Sequence, residues 1–161
     1  MEYIFPMKLR LVAVAVITAL SLTTLAACGG TETVLPKVTA NTGEAPTITK
    51  PSGEAPKTLV SEDIIVGTGT EAKADSTLTV HYTLMSWSTG KIAESSWSSG
   101  SPATFPLQNL IPGWIQGIPG MKVGGRRLLV IPPDLGYGSS GSGPIAPNET
   151  LIFVIDVLAV A

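Results

Sequence analysis

The sequence predicts an α+β domain over residues 58–161, a twisted antiparallel β-sheet wrapped on one short α-helix. Three features predict it. Thr77 to Met85 alternates β-forming and polar residues at period two. Arg126 to Ile131 and Thr150 to Val160 are two further strand-like runs, the second nearly all apolar with Asp156 as its only charge. One segment alone, Pro112 to Ile118, suits a helix. Pro112 falls in its first turn, where a missing N–H costs nothing, and Pro119-Gly120 ends it.

The remaining elements follow in order. Leu59-Val60 and Ile64-Ile65-Val66 bracket the polar Ser61-Glu62-Asp63, and Gly67-Thr68-Gly69 makes a turn. Thr89-Gly90 supplies a second turn, after which Lys91 to Ser95 returns as a strand. Pro132-Pro133 closes the strand that starts at Arg126. At least one of Arg126 and Arg127 is expected on a solvated face. Seventeen Gly and thirteen Pro among 161 residues fit a turn-rich fold.

Composition removes several function classes. Net charge is −2, and no basic cluster exists beyond Arg126-Arg127, so no nucleic acid is expected as partner. One Cys and one His cannot build the usual N/S zinc site, and one Cys cannot close a disulfide within the chain. No metal, no cofactor and a monomer are expected.

Residues 1–27 read as a signal segment. Lys8 and Arg10 precede an apolar run from Leu11 to Ala27, interrupted by Thr18, Ser21, Thr23 and Thr24. A spanning helix needs about 20 apolar residues, so the run fits an export signal better. Met7-Lys8-Leu9-Arg10 is a more usual start than Met1-Glu2. Leu25-Ala26-Ala27-Cys28-Gly29 resembles the bacterial lipobox. That resemblance implies a diacylglyceryl group on Cys28, a mature chain that begins there, and an extracytoplasmic site on the cell membrane or an equivalent envelope leaflet. The other reading is a lone Cys after a removed signal. Each buried acyl CH₂ is worth about 0.8 kcal/mol, so two or three chains anchor firmly.

Residues 28–57 are expected to be a lipid-anchored, flexible linker. They hold Thr, Pro, Gly, Glu and Lys without an aromatic residue, and Gly43-Glu44-Ala45-Pro46 recurs as Gly53-Glu54-Ala55-Pro56. Such a stretch buries too little apolar area to offset its chain entropy. A disordered tether here would lift the domain away from the membrane.

Six blocks in order carry a family resemblance. They are Val80-His81-Tyr82-Thr83, Gly90-Lys91 with Glu94-Ser95-Ser96, Leu110-Ile111-Pro112-Gly113-Trp114, Gly120 to Arg126, Ile131 to Gly138, and Ile145 to Phe153. At this spacing, from about Leu59 to Val160, the chain resembles the FKBP-type peptidyl-prolyl cis-trans isomerases. The resemblance implies an FKBP-like fold and proline-containing polypeptides as partners. It implies Tyr82, Glu94, Ile111, Trp114, Tyr137 and Phe153 as catalytic residues, with Phe105, Leu110, Gly136 and Ile145 binding substrate. Trp114 would be the floor under the proline ring, and Tyr82 and Phe153 its walls. The Ile111 backbone N–H would bind a ligand carbonyl, and Tyr137 would offer its hydroxyl.

Two departures stand out. The family usually has Phe-Asp where this chain has Ala93-Glu94, and often a second aromatic at the place of Ala103. A shallower site is expected, with reduced turnover and weak binding of rapamycin-type macrolides. Trp97 or Phe105 is expected to refill part of the space.

The chemistry needs no nucleophile. The X-Pro bond resists rotation by about 18–20 kcal/mol because the amide has partial double-bond character. Uncatalysed exchange takes roughly tens to hundreds of seconds. The twisted amide has lost resonance and is less polar than the planar one, so a dry apolar cleft disfavours the planar form relative to it. Aromatic and aliphatic walls with a few placed polar groups are the material for that job.

Other motifs carry less. Gly136-x-Gly138-x-x-Gly141 has the letters of a dinucleotide fingerprint, but Gly143-Pro144 and Pro147 forbid the helix it requires. Ser140 or Ser142 with His81 could suggest a hydrolase, yet His81 beside Tyr82 in a strand reads as a packed or hydrogen-bonded residue. Asp134 after two prolines reads as a turn residue. Two function classes therefore compete with the isomerase: a non-catalytic peptide-binding module of the same fold, and a surface adhesion lipoprotein resting only on the anchor and tether.

Overall fold

Two neighbouring strands with apolar residues on both faces organise the chain. The structure, a computed structural model, describes residues 32–161. The signal segment 1–27 and Cys28 lie outside the described residues. Six strands form one antiparallel sheet: β1 (Val60–Ile65), β2 (Thr77–Ser86), β3 (Ile92–Ser95), β4 (Ala103–Pro106), β5 (Arg126–Ile131) and β6 (Leu151–Val160). The order is β1-β5-β6-β2-β3. β3 and β4 share the outer edge of β2, pairing with residues 83–85 and 77–80 respectively. One helix, α1 (Pro112–Gly117), is the helix that the sequence predicts, with Pro112 at its start. The predicted strands are all found, with ends moved by a residue or so. β4 gives no period in the sequence, because a four-residue edge strand beside Pro102 and Pro106 is too short to show one.

The alternation of a strand sends successive side chains to opposite faces. Leu129, Ile131, Leu151, Phe153, Ile155 and Val157 join the core on the helix side, with Leu78, Val80 and Leu84 from β2. Leu128, Val130, Ile152 and Val154 build a second cluster on the other side with Met85 and Trp87. α1 approaches β5 closely, because Gly113 faces Ile131 and Gly117 faces Leu129. A methyl group at either glycine would overlap those side chains. No helix among the described residues is long and apolar enough to cross a membrane.

The second cluster overturns the expectation of a free tether for residues 32–57. This segment folds back as an irregular hairpin, with backbone hydrogen bonds between Val34 and Ser52 (2.9 and 3.2 Å), Thr39 and Thr47 (3.1 Å), and Thr49 and Lys37 (3.0 Å). Leu35, Val38, Ile48 and Ala55 pack on Met85, Trp87 and their neighbours. The apolar area comes from the sheet rather than from the arm, so the arm's own composition does not reveal it.

Arg126 and Asp156 fasten the arm. They face each other across β5 and β6. The guanidinium is 0% exposed and binds the carboxylate in two places, Nε to Oδ1 at 2.6 Å and Nη2 to Oδ2 at 2.9 Å. It also donates to the carbonyls of Thr39 (3.0 Å) and Glu44 (2.7 Å) in the arm. Burial pushes the Asp156 carboxyl up, and Arg126 works against that rise. Neither arginine is solvated in the manner expected. Arg127 pairs with Asp63 at 2.6 Å and donates to the Gly117 carbonyl at 2.7 Å, which caps the end of α1.

Replacing Arg126 leaves a buried carboxylate and two carbonyls without their donor. Arg126→Met is expected to lower stability by about 3–5 kcal/mol, read from urea unfolding followed by Trp fluorescence.

Candidate active site

Eight of the ten site residues named from the sequence surround one cavity of about 240 Å³: Tyr82, Glu94, Phe105, Leu110, Ile111, Trp114, Tyr137 and Phe153. They come from every part of the domain. Tyr82, Glu94, Phe105 and Phe153 stand on β2, β3, β4 and β6, and Trp114 is on α1. Ile111 is the residue that precedes the helix, and Leu110 precedes it. Tyr137 follows a short 3₁₀ turn over Pro133–Leu135.

Trp114 is the hub. Its ring meets Phe153 at 5.2 Å and 90°, Tyr82 at 6.0 Å and 81°, and Phe105 at 6.5 Å and 89°. Three edge-to-face contacts of this kind fix an indole without sealing its face. Trp114 and Phe153 are each only 4% exposed, yet both line the cavity. The wall is thus apolar and rigid.

The polar groups divide by role. The Tyr82 hydroxyl donates to Glu94 Oε1 at 2.5 Å, so the longer Glu side chain still reaches the phenol. Tyr137 has no hydrogen-bond partner for its hydroxyl among the described residues, and its proton is free for a ligand. The Ile111 backbone N–H likewise donates to no acceptor among the described residues, since the turn uses the Ile111 carbonyl instead, at 2.9 Å from the Trp114 N–H. Burial, then the hydrogen bond and charge of Glu94, push Tyr82 well above the usual phenol range. Burial and the Glu94 charge also raise Tyr137. Both phenols keep their protons at neutral pH.

Three expectations are corrected. Gly136 does not line the cavity but lies against Leu151. Ile145 is 5% exposed inside the helix-side core. Trp97 refills nothing, because its ring stacks on His81 at 3.9 Å. Phe105 does line the cavity, as expected. Ser96 is a further residue of the site. Its hydroxyl accepts from the Tyr82 N–H at 2.9 Å and meets His81 Nδ1 at 2.9 Å, so it steadies β2 where the wall begins. Its place in the Glu94-Ser95-Ser96 block was the available signal.

A half-open apolar cavity floored by an indole, on a sheet wrapped round one short helix, defines a class of proline-binding isomerase domain. Comparison with known proteins agrees. The family described as FKBP-type peptidyl-prolyl cis-trans isomerase matches residues 68–158, and the chain belongs to that family. It is 50% identical over 116 residues to the "Probable FK506-binding protein" of Corynebacterium glutamicum, covering 72% of this chain and 98% of that one. It is 49% identical over 121 residues to the "FK506-binding protein" of Streptomyces anulatus, covering 73% and 98%. Among solved structures, FkpA from Escherichia coli superposes with a TM-score of 0.60 at 39% identity, over 63% of this chain and 47% of that chain.

The raised phenols set an alkaline limit. Above about pH 10 the unfolded chain releases phenolic protons that the native chain retains. Stability is therefore expected to fall as pH rises from that point, and Tyr82→Phe should flatten the fall. Urea midpoints against pH, with phenolate absorbance for the native state, check this.

Proposed function

We propose that the chain speeds cis-trans isomerisation of X-Pro bonds in exported polypeptides at the outer side of a membrane. The observation that carries the catalytic part is the cavity over Trp114. A prolyl ring entering it leaves water and meets Trp114, Phe153 and Tyr82. The free Ile111 N–H is placed to hold a ligand carbonyl, and the Tyr137 hydroxyl is a second donor for the peptide. As the amide twists and loses resonance, its polarity falls, and the dry wall favours the twisted form over the planar one. No residue has to take or give a proton in that step.

Ala93 and Ala103 stand where the family usually places aromatic rings, and neither lines the cavity, which supports reduced turnover and weak binding of FK506-like or rapamycin-type ligands. A non-catalytic peptide-binding module is the other reading that these two alanines favour.

The export part rests on the signal-like run and Cys28. With the arm packed on the sheet, few residues separate Cys28 from the folded domain. Residues 29–32 extended reach about 13–14 Å, so a lipid on Cys28 would hold the domain against the membrane surface instead of a tether's length away.

In a protease-coupled assay on a short X-Pro peptide, Trp114→Ala is expected to lower kcat/KM by about tenfold or more, equivalent to about 1.4 kcal/mol of transition-state stabilisation. Peptide binding without a measurable rate would establish the binding module in place of the enzyme.

Membrane attachment has its own check. Cys28→Ser should move the protein from the membrane fraction to the soluble fraction and end incorporation of labelled fatty acid.

A further inference from the structure

A second hollow, of about 320 Å³, opens beside the prolyl cavity, and the mechanism above makes no use of it. Ala93 and Glu94 are consecutive residues of β3. Glu94 lines the prolyl cavity, and Ala93 lines the second hollow. A bulge makes this possible. Leu84 pairs with Glu94 and Met85 with Ile92, so Ala93 is the extra residue with no partner across the ladder. The far wall is Pro144 and Ala146, which flank Ile145. Ile145 is buried in the same core cluster as Trp114 and Phe153. The two hollows thus adjoin along the bulged edge of β3.

The second hollow differs in character from the first. Ile92, Ala93, Pro144 and Ala146 give it an apolar wall, and Glu149 stands in it as a carboxylate only 8% exposed. Glu149 accepts from the Ser88 N–H at 2.9 Å and the Ser88 hydroxyl at 2.6 Å. Both donors are neutral, and Glu149 forms no ion pair among the described residues. Lys91, the cation on the same rim, is exposed and also unpaired among them. A buried carboxylate is normally matched by a cation, and each of its oxygens retains acceptor capacity here. An aliphatic stem ending in a cation fits this combination of wall and charge.

We propose that the hollow between Ala93 and Ala146 is a specificity subsite for a lysine or arginine side chain close to the proline of the substrate, with Glu149 as its counter-charge. The proposal rests on the reading of the adjoining cavity as the prolyl site. Glu149 acts on substrate choice and takes no part in bond rotation.

The experiment compares X-Pro peptides carrying lysine or norleucine at each position flanking the proline, with the wild type, Glu149→Gln and Ala146→Trp. Glu149→Gln keeps an oxygen to accept from the Ser88 N–H and an amide that can donate to the Ser88 hydroxyl, and Ala146 is exposed, so both variants should fold. At one flanking position lysine is expected to raise kcat/KM by about tenfold over norleucine. Glu149→Gln should abolish that advantage while leaving the norleucine peptide at its wild-type rate, and Ala146→Trp, which fills the hollow, should abolish the hollow's contribution for either side chain. The absence of a lysine advantage at every position, or an advantage that survives Glu149→Gln, overturns the subsite. Binding of the same peptides by titration calorimetry separates the two readings. If no peptide is isomerised, a lysine preference in binding that Glu149→Gln removes upholds the subsite and refutes the isomerase. Binding without that preference refutes the subsite alone.

Discussion

A sheet that is apolar on both faces has to be covered twice, and the rest of this structure follows from that requirement. β5 and β6 alternate Leu129, Ile131, Phe153 and Ile155 toward the helix with Leu128, Val130, Ile152 and Val154 away from it. Leaving either set in water would cost roughly 25 cal/mol for each Å² exposed. The helix and the cavity loops cover one face, and the arm covers the other. The arm alone is too polar to fold. It becomes ordered because the sheet offers it an apolar surface, and Arg126 offers two otherwise unused donors to its carbonyls. Against apolar side chains of similar size the Arg126–Asp156 pair roughly breaks even, and its distinctive contact is to the arm's carbonyls.

On the helix face, the shortness of α1 decides the function. Two glycines let the helix sit directly on β5, and at six residues it leaves a corner of the sheet uncovered. Tyr82, Phe105 and Phe153 border that corner and meet the indole edge to face. The result is rigid apolar wall around space that the chain itself does not fill. This suits a reaction whose barrier is the loss of amide resonance, because a dry and shaped place matters more than any acid or base.

The edge of β2 adds selectivity of placement. Glu94 occupies the proton of Tyr82, which leaves Tyr137 as the phenol with a free donor. The bulge one residue earlier turns Ala93 toward a separate hollow. A regular β3 would have sent these neighbours to opposite faces of the sheet.

The sequence by itself determined four of the six strands (β2, β3, β5 and β6), the single helix and, of the ten residues named for the site, the eight that meet around the cavity. Period-two alternation, Pro112 before a Gly-flanked Trp and the order of the six blocks are local patterns, and local patterns survive in a linear chain. It could not show the packed arm at 32–57, because Leu35, Val38 and Ile48 are too few to mark a folded segment without the surface they meet. Nor could it tell that Trp97 would stack on His81, that Ile145 would be core, or that Arg126 would be fully buried. Those outcomes depend on which side chains arrive at the same point from strands far apart in the chain. Only the tertiary structure decides that, because burial is a property of pairs of surfaces and no single segment carries it.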